Sequence, residues 1–334
     1  MPESMRFKLS GRFRIKLQVL SIFIWSSLYV FTRRLLRGPL LPSWSLLFEA
    51  STFYQKALFR AAYRFPDIKD GRELVDALVL QGPALDRVRL VPVTSPVRGD
   101  WYRPEASKSN RVILYCHGAY AFYAGSEKVF VAELAVTTGL PIFALDYRLT
   151  PEHPFPAQLE DALACYDWLL EYGHEAKDIV VMGTSAGGNL CLALMQKLRE
   201  TNRVLPVLAV ALCPWTDISN SGKSIDKNEP YDTLDRGMIE KGARWFAGDK
   251  DPQDPMISPL YADPRGLPPI YVQAGERESF VDMIRAYYER GKSQGADITL
   301  EVWEGMNHVF QGYGDLVPES KEAMGRIVTI VHQW

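Results

Sequence analysis

The chain has 334 residues, 47% of them hydrophobic and 23% charged, with 38 Lys and Arg against 40 Asp and Glu for a formal charge of −2. That is the composition of an ordinary globular protein with a large core, and its length fits either two domains or one long α/β fold. The near-neutral balance gives no electrostatic case for a nucleic-acid partner. The four cysteines (Cys116, Cys165, Cys191, Cys213) sit in apolar runs with no Cys-x-x-Cys pair and no His at metal-ligand spacing, so they read as buried free thiols.

Residues 1–16 carry Arg6, Lys8, Arg12, Arg14 and Lys16 against a single acid, Glu3. An apolar run from Leu17 to Phe31 follows, and then Arg33, Arg34 and Arg37. The run falls short of the roughly 20 residues that cross a bilayer, and Thr32-Arg33-Arg34 offers no small-residue cleavage site for a signal peptide. Leu17, Leu20, Ile24, Leu28 and Phe31 share one helical face, with Trp25 and Tyr29 suited to an interface. Basic flanks around such a helix point to a membrane-associated protein, through residues 17–31 lying on a membrane or acting as a short anchor. The competing reading is a helix covering the protein's own apolar pocket. If the run spans, the excess of basic residues before it puts the amino terminus in the cytosol and the rest across the membrane.

A second helix is expected from a cap at Ser43 through Tyr63, and a third from Arg72 to Leu80, before a break at Gln81-Gly82-Pro83. Strands follow at Arg87–Val93, Gly99–Arg103, Arg111–Cys116, Ile142–Asp146, Ile179–Met182, Val207–Leu212, Ile270–Ala274 and Ile298–Trp303. Helix-length segments at Glu127–Thr138, Ala157–Tyr172, Ala186–Glu200, Phe280–Gln294 and Glu319–Gln333 separate or close them. β-Branched strands alternating with helices predict a mostly parallel sheet covered on both faces. The stretch from Ile218 to Asp254 breaks the alternation, with a helix at Met238–Phe246. The expected division is a helical segment over residues 1–82, a core of 83–217 and 255–334, and a cap insertion at 218–254.

The centre of this pattern is Gly183-Thr184-Ser185-Ala186-Gly187, with Ile179-Val180-Val181 before it and an apolar helical run after it. Strand, tight turn and helix around Gly-x-Ser-x-Gly are the context of a nucleophile elbow, in which the glycines avoid collisions and the serine hydroxyl is held clear. A serine needs a base, and only His308 and His332 follow Ser185. His332 lies in the last helix, whereas His308 lies on a loop after the last strand. An acid that accepts the imidazole Nδ1–H is expected beyond the strand at Ile270–Ala274, where Glu276, Glu278 and Asp282 compete and chemistry alone does not separate them. Oxyanion donors are expected from His117-Gly118-Ala119-Tyr120 after the third strand and from Ala186, with His117 tethering its loop rather than moving protons.

Together these residues resemble the hormone-sensitive-lipase-like family of α/β-hydrolase esterases over residues 85 to 334. Besides the His117 loop, Asp146-Tyr147-Arg148-Leu149-Thr150-Pro151-Glu152-His153-Pro154-Phe155-Pro156-Ala157 is close to the family's Asp-Tyr-Arg-Leu-Ala-Pro-Glu-His-Pro-Phe-Pro-Ala. Gly183-Thr184-Ser185-Ala186-Gly187-Gly188-Asn189 is one residue from Gly-Asp-Ser-Ala-Gly-Gly-Asn. Pro214-Trp215-Thr216-Asp217, Ser258-Pro259, Leu267-Pro268-Pro269 and His308-Val309-Phe310 complete the set.

The resemblance implies an α/β-hydrolase fold, an eight-stranded mostly parallel sheet with helices on both faces and a helical cap. It assigns the acid to Glu278, where the family has Asp, with Glu276 and Asp282 at the flanking acids. It also marks a departure at the oxyanion loop, where the family has His-Gly-Gly-Gly or His-Gly-Gly-Ala. Donors by position are Ala119 and Tyr120, with Gly118 contributing if the turn shifts, and an Ala at positive φ carries strain. The expected activity is a serine carboxylic-ester hydrolase working through an acyl-enzyme on a lipophilic ester, such as an acetylated natural product or sterol, with no metal or organic cofactor. The alternatives are acyl transfer, lactonisation or cyclisation by the same residues, and a non-catalytic ligand receptor on this fold.

Overall fold

Strand β1 (Arg6–Leu9) leads into a long helix α1 (Phe13–Arg37), followed by α2 (Leu46–Arg64), α3 (Ile68–Asp76) and β2 (Leu78–Gln81), which returns antiparallel to β1. The structure is a computed structural model and describes residues 6–334 apart from 106, 108, 109 and 124; Glu3, the lone acid of the basic leader, lies outside them. Three expectations change in this layer. The apolar helix has 25 residues rather than the 17–31 run alone, about 37 Å at 1.5 Å per residue, because it continues through the basic residues on both sides. Its arginines are satisfied in place: Arg33 and Arg34 pair with Glu49, whose side chain is fully buried on α2. The cap of α2 is Ser45 rather than Ser43, with its hydroxyl accepting from Phe48 N at 3.1 Å. The third helix ends at Asp76, and Leu78–Gln81 is a strand because β1 is there to pair with it.

The core runs β3 (Val88–Val93), β4 (Gly99–Pro104), β5 (Val112–Cys116), α4 (Gly125–Thr138), β6 (Ile142–Leu145), α5 (Ala157–Glu171), β7 (Ile179–Thr184), α6 (Ala186–Glu200) and β8 (Leu208–Leu212). After the short α7 (Ser224–Lys227) and α8 (Arg236–Ala247) come β9 (Ile270–Gly275), α9 (Val281–Ser293), β10 (Ile298–Trp303) and α10 (Pro318–Gln333). The eight strands from β3 to β10 form one sheet in the order β10-β9-β8-β7-β5-β6-β4-β3. β4 is antiparallel to both β3 and β6, and every other pair is parallel.

Each of β5 to β8 is buried along its whole length, as continuous apolar strands demand when both faces are covered. Val112, Leu114 and Cys116 turn to one face, against α5, α6 and α9, while Ile113 and Tyr115 turn to the other, against α4 and α10. All four cysteines are free and buried. The carboxyl ends of β5, β7, β9 and β10 lie along one rim, where the loops that carry function in such sheets emerge.

Above that rim sit the N-terminal helices and the 218–254 stretch. Tyr63 of α2 stacks on Trp245 of α8 at 5.5 Å between ring centroids, and Lys241 donates to Tyr63 O. Trp44 anchors the start of the layer to the core by donating Nε1–H to Gly305 O at 2.7 Å.

Candidate active site

β7 ends one residue before Ser185, and α6 begins one residue after it. Ser185 is therefore forced into a sharp turn with φ 53° and ψ −114°, a strained region for a residue with a side chain. Neighbouring glycines make the turn possible by close approach: a Cβ at Gly183 would stand 2.2 Å from Gly187 O, and one at Gly187 2.0 Å from Cys116 O. The strained conformer is held from three sides, with Ser185 N donating to Leu212 O at 2.8 Å and Ser185 O accepting from Asn189 N and Trp215 N at 3.0 Å.

The structure brings His308 and Glu278 to this serine. Ser185 Oγ and His308 Nε2 are 2.8 Å apart, and His308 Nδ1 and Glu278 Oε2 are 2.7 Å apart. Glu278 is fully buried, and its other oxygen accepts from Gly275 N at 3.0 Å. The competing acids go elsewhere: Glu276 accepts from Gly305 N at 3.1 Å, and Asp282 accepts from Ser224 N at 2.9 Å. His332 bonds the carbonyl of Thr138, far from the rim. Burial alone would lower the basicity of His308, but the hydrogen bond and charge of Glu278, with Asp232 and Glu127 behind it, raise its pKa above the ordinary histidine value. The ring is also held edge-on by Phe280 at 5.1 Å.

Asp232 is a site residue that the sequence did not reveal. It comes from the 218–254 stretch, is fully buried, and accepts from His308 N at 3.1 Å and Thr233 N at 2.7 Å on one oxygen and from Ser279 N at 2.6 Å on the other. One carboxylate thus fastens the backbone of His308 and that of Ser279, the neighbour of Glu278. No motif surrounds it, so no sequence signal could have found it.

The sulfur of Cys213 lies with the ligand atoms of Glu278 and His308, all within 4.8 Å of one another. These types suit a soft metal ion, but the imidazole and carboxylate are bonded to each other, and the sulfur takes the amide of Val309 at 3.3 Å. Burial pushes the Cys213 thiol well up, away from the thiolate a metal would require.

The loop after β5 is more unusual. Gly118 N donates to Glu127 Oε1 at 2.9 Å, so the contribution expected of Gly118 as an oxyanion donor is not open to it. Glu127, another residue missed in the sequence, sits half-buried under the loop and also accepts from Tyr115 OH at 2.9 Å. A Cβ at position 118 would stand 2.8 Å from this carboxylate and displace it from the Gly118 amide. Ala119 has φ 54°, the strain anticipated for an alanine there. Among the described residues, the amides of Ala119, Tyr120 and Ala186 have no protein acceptor.

The Tyr120 side chain folds inward, donating its OH to Asn189 Oδ1 at 2.6 Å and stacking on Phe246 at 3.9 Å. Asn189 in turn donates to Trp215 O and Ile257 O, so the loop is tied to α6 and α8. His117 stacks on Tyr147 at 4.0 Å, its Nδ1 lies 2.7 Å from Gly118 O, and Tyr147 OH donates to His117 O. Burial pulls His117 down to about 4, so its ring is neutral near neutral pH.

A family model described as the alpha/beta hydrolase fold matches residues 113–312. An acetyl-hydrolase of Streptomyces hygroscopicus is 36% identical over 228 residues, covering 67% of this chain and 76% of that protein. A carboxylesterase of Mycobacterium tuberculosis is 28% identical over 278 residues, covering 80% and 86%. Among solved structures, an esterase of the bacterial hormone-sensitive lipase family superposes with a TM-score of 0.77 at 34% identity, covering 84% of this chain and 97% of that one. With a shared fold and relatives named for ester hydrolysis, this chain belongs to the hormone-sensitive-lipase-like family of α/β-hydrolases and is a serine carboxylic-ester hydrolase.

Proposed function

We propose that Ser185 is the nucleophile, His308 the general base and Glu278 the acid that orients it. The observation that carries this is the unbroken relay at 2.8 and 2.7 Å from Ser185 Oγ through His308 to Glu278. Ser185 attacks the ester carbonyl while His308 takes the hydroxyl proton, and the same proton then goes to the departing alcohol. Water, deprotonated by His308, releases the acid. The tetrahedral oxyanion is held by the N–H groups of Ala119, Tyr120 and Ala186, where one donor is worth about 10²–10³ in turnover. His117 braces the loop in its neutral form, and Asp232 positions the two partners of the serine.

Residues 1–82 and 218–254 act as a cap over the core of 83–217 and 255–334. Their shared apolar cluster, in which Ala119 and Phe122 meet Leu58, Phe59 and Tyr63 of α2, favours a lipophilic ester. The name of the Streptomyces relative favours a short acyl group, and so an acetylated lipophilic alcohol. We also place the enzyme at a membrane surface, in contact through α1.

Labelling by a fluorophosphonate tests the chemistry. The wild type and Glu278→Gln are expected to react, the latter slowly, and Ser185→Ala not at all; equal labelling of Ser185→Ala would remove the nucleophile. For the substrate class, kcat/KM for a long-chain alkyl acetate should exceed that for ethyl acetate, whose leaving alcohol is of the same reactivity, by about tenfold or more, as added apolar contact allows. Equal values would remove the lipophilic part of the reading.

A further inference from the structure

Helix α1 has two apolar faces, and the protein uses only one of them. Ile15, Val19 and Val30 are buried, the first two in one cluster with residues of α2 and α3. Opposite them, Leu17, Leu20, Ile24, Leu28, Phe31 and Leu35 form an outward stripe, each between 45% and 71% exposed. At helical rise this stripe runs for about 27 Å. Trp25 and Tyr29 flank it, both more than half exposed, as amphipathic rings at a headgroup boundary would be. A contiguous apolar face of that length on a soluble surface marks a docking site.

Both ends of the helix are riveted to the molecule. Arg12 pairs with Asp70 and Glu73 of α3, and Arg33 and Arg34 pair with the buried Glu49 of α2. Turning α1 across a bilayer would break these pairs or carry the charged α2 into hydrocarbon with it. The helix is therefore built to lie flat.

The surroundings of the stripe are cationic. Arg14 and Lys16 stand near its start. At its far end, a cleft of about 620 Å³ between α1 and α2 has Tyr29 and Phe53 in its wall and Arg33, Arg37, Lys56, Arg60 and Arg64 around them. Arg33, Lys56 and Arg60 already hold Glu49, the carbonyl of Glu229 and Asp235. Arg37 and Arg64 have no acidic partner among the described residues. Two such faces brought together as a dimer would set these cations against each other, whereas an anionic surface complements them.

We propose that α1 docks in the plane of an anionic phospholipid bilayer, with the outward stripe in the acyl boundary and lipid phosphates drawn to Arg37 and Arg64 at the mouth of the cleft. This rests on the membrane reading above and not on the ester chemistry.

Flotation of the full chain with vesicles tests it, using phosphatidylcholine alone and phosphatidylcholine mixed with phosphatidylglycerol. The wild type is expected to float with the mixed vesicles and to be released by salt. Ile24→Asp combined with Leu28→Asp should lower that binding more than about tenfold. Arg37→Ala combined with Arg64→Ala should weaken binding to the anionic vesicles by about fivefold per arginine, and leave any binding to neutral vesicles unchanged. Both variants should turn over a water-soluble p-nitrophenyl ester as the wild type does, which verifies that they are folded. Three results would overturn the proposal: equal wild-type binding to neutral and anionic vesicles, wild-type flotation by the stripe variant, or no flotation together with a solution dimer that the stripe variant dissociates. Vesicle binding without any esterase turnover would uphold the docking and count against the hydrolase reading alone.

Discussion

The rim of the sheet and the outer layer formed by α1 are built on opposite terms. At the rim, Ser185, Glu278, His308, Asp232 and Glu127 have their polar atoms matched inside a buried region, and each backbone position is over-determined by its neighbours. In α1, a narrow inner face does the packing, and a wider apolar face is left uncovered. The difference teaches where each kind of group is enclosed: apolar side chains fill the two faces of the sheet, polar groups are enclosed where the rim must fix them, and α1 keeps a long apolar face uncovered. The two regions should answer differently to mutation.

The largest effect is expected at the serine itself. Ser185→Ala should lower kcat by about 10⁵–10⁶-fold with the far-ultraviolet spectrum unchanged. Next comes a contrast within α1. Val19→Asp buries an unpaired carboxylate against α2 and should cost about 3–5 kcal/mol or detach the layer. Ile24→Asp on the outward stripe should change stability by no more than about 0.5 kcal/mol. Chemical denaturation measures both, and equal losses would erase the distinction between the two faces.

Asp232→Asn should cost about 10²-fold in kcat through misplacement of the base, with KM little changed. The direction of its pH effect is fixed by charge. In the proposed mechanism His308 works as a neutral base, so a raised pKa moves the acid limb of kcat/KM to higher pH. Glu278, Asp232 and Glu127 all push that way, so removing the Asp232 charge should move the limb to lower pH. An unmoved limb would reduce Asp232 to a structural role. Apart from the near-neutral Ile24→Asp, the smallest effect is expected at Ala119→Gly, which relieves the φ 54° strain; the gain, read by chemical denaturation, should be about 1 kcal/mol, partly offset by the freer unfolded chain.

Much of this was legible in the sequence, for identifiable reasons. The strands from β3 to β10 were readable because continuous β-branched runs bounded by turns have few other uses in a covered sheet. Ser185 and His308 were marked by a motif and by chain order, whereas Glu278 stood among three acids that local chemistry did not separate; the family resemblance pointed to it, and its burial against His308 is what sets it apart in the structure. Asp232 and Glu127 were invisible because their roles are contacts with backbone amides, far along the chain for Asp232 and across a turn for Glu127, and nothing in their immediate neighbours signals that. The length of α1 was misjudged because arginines read as the end of an apolar run, yet Arg33 and Arg34 continue the helix by reaching the buried Glu49. Leu78–Gln81 could be read either way until β1 supplied a partner.

One carboxylate carries a mechanical consequence. Asp232 belongs to the segment above the sheet, yet it grips the amides of Ser279 and His308 below. If that segment swings outward, the grip is released and the imidazole loses its alignment, so the door and the engine cannot run separately. Urea at concentrations that loosen this segment should therefore silence turnover even where the sheet remains folded.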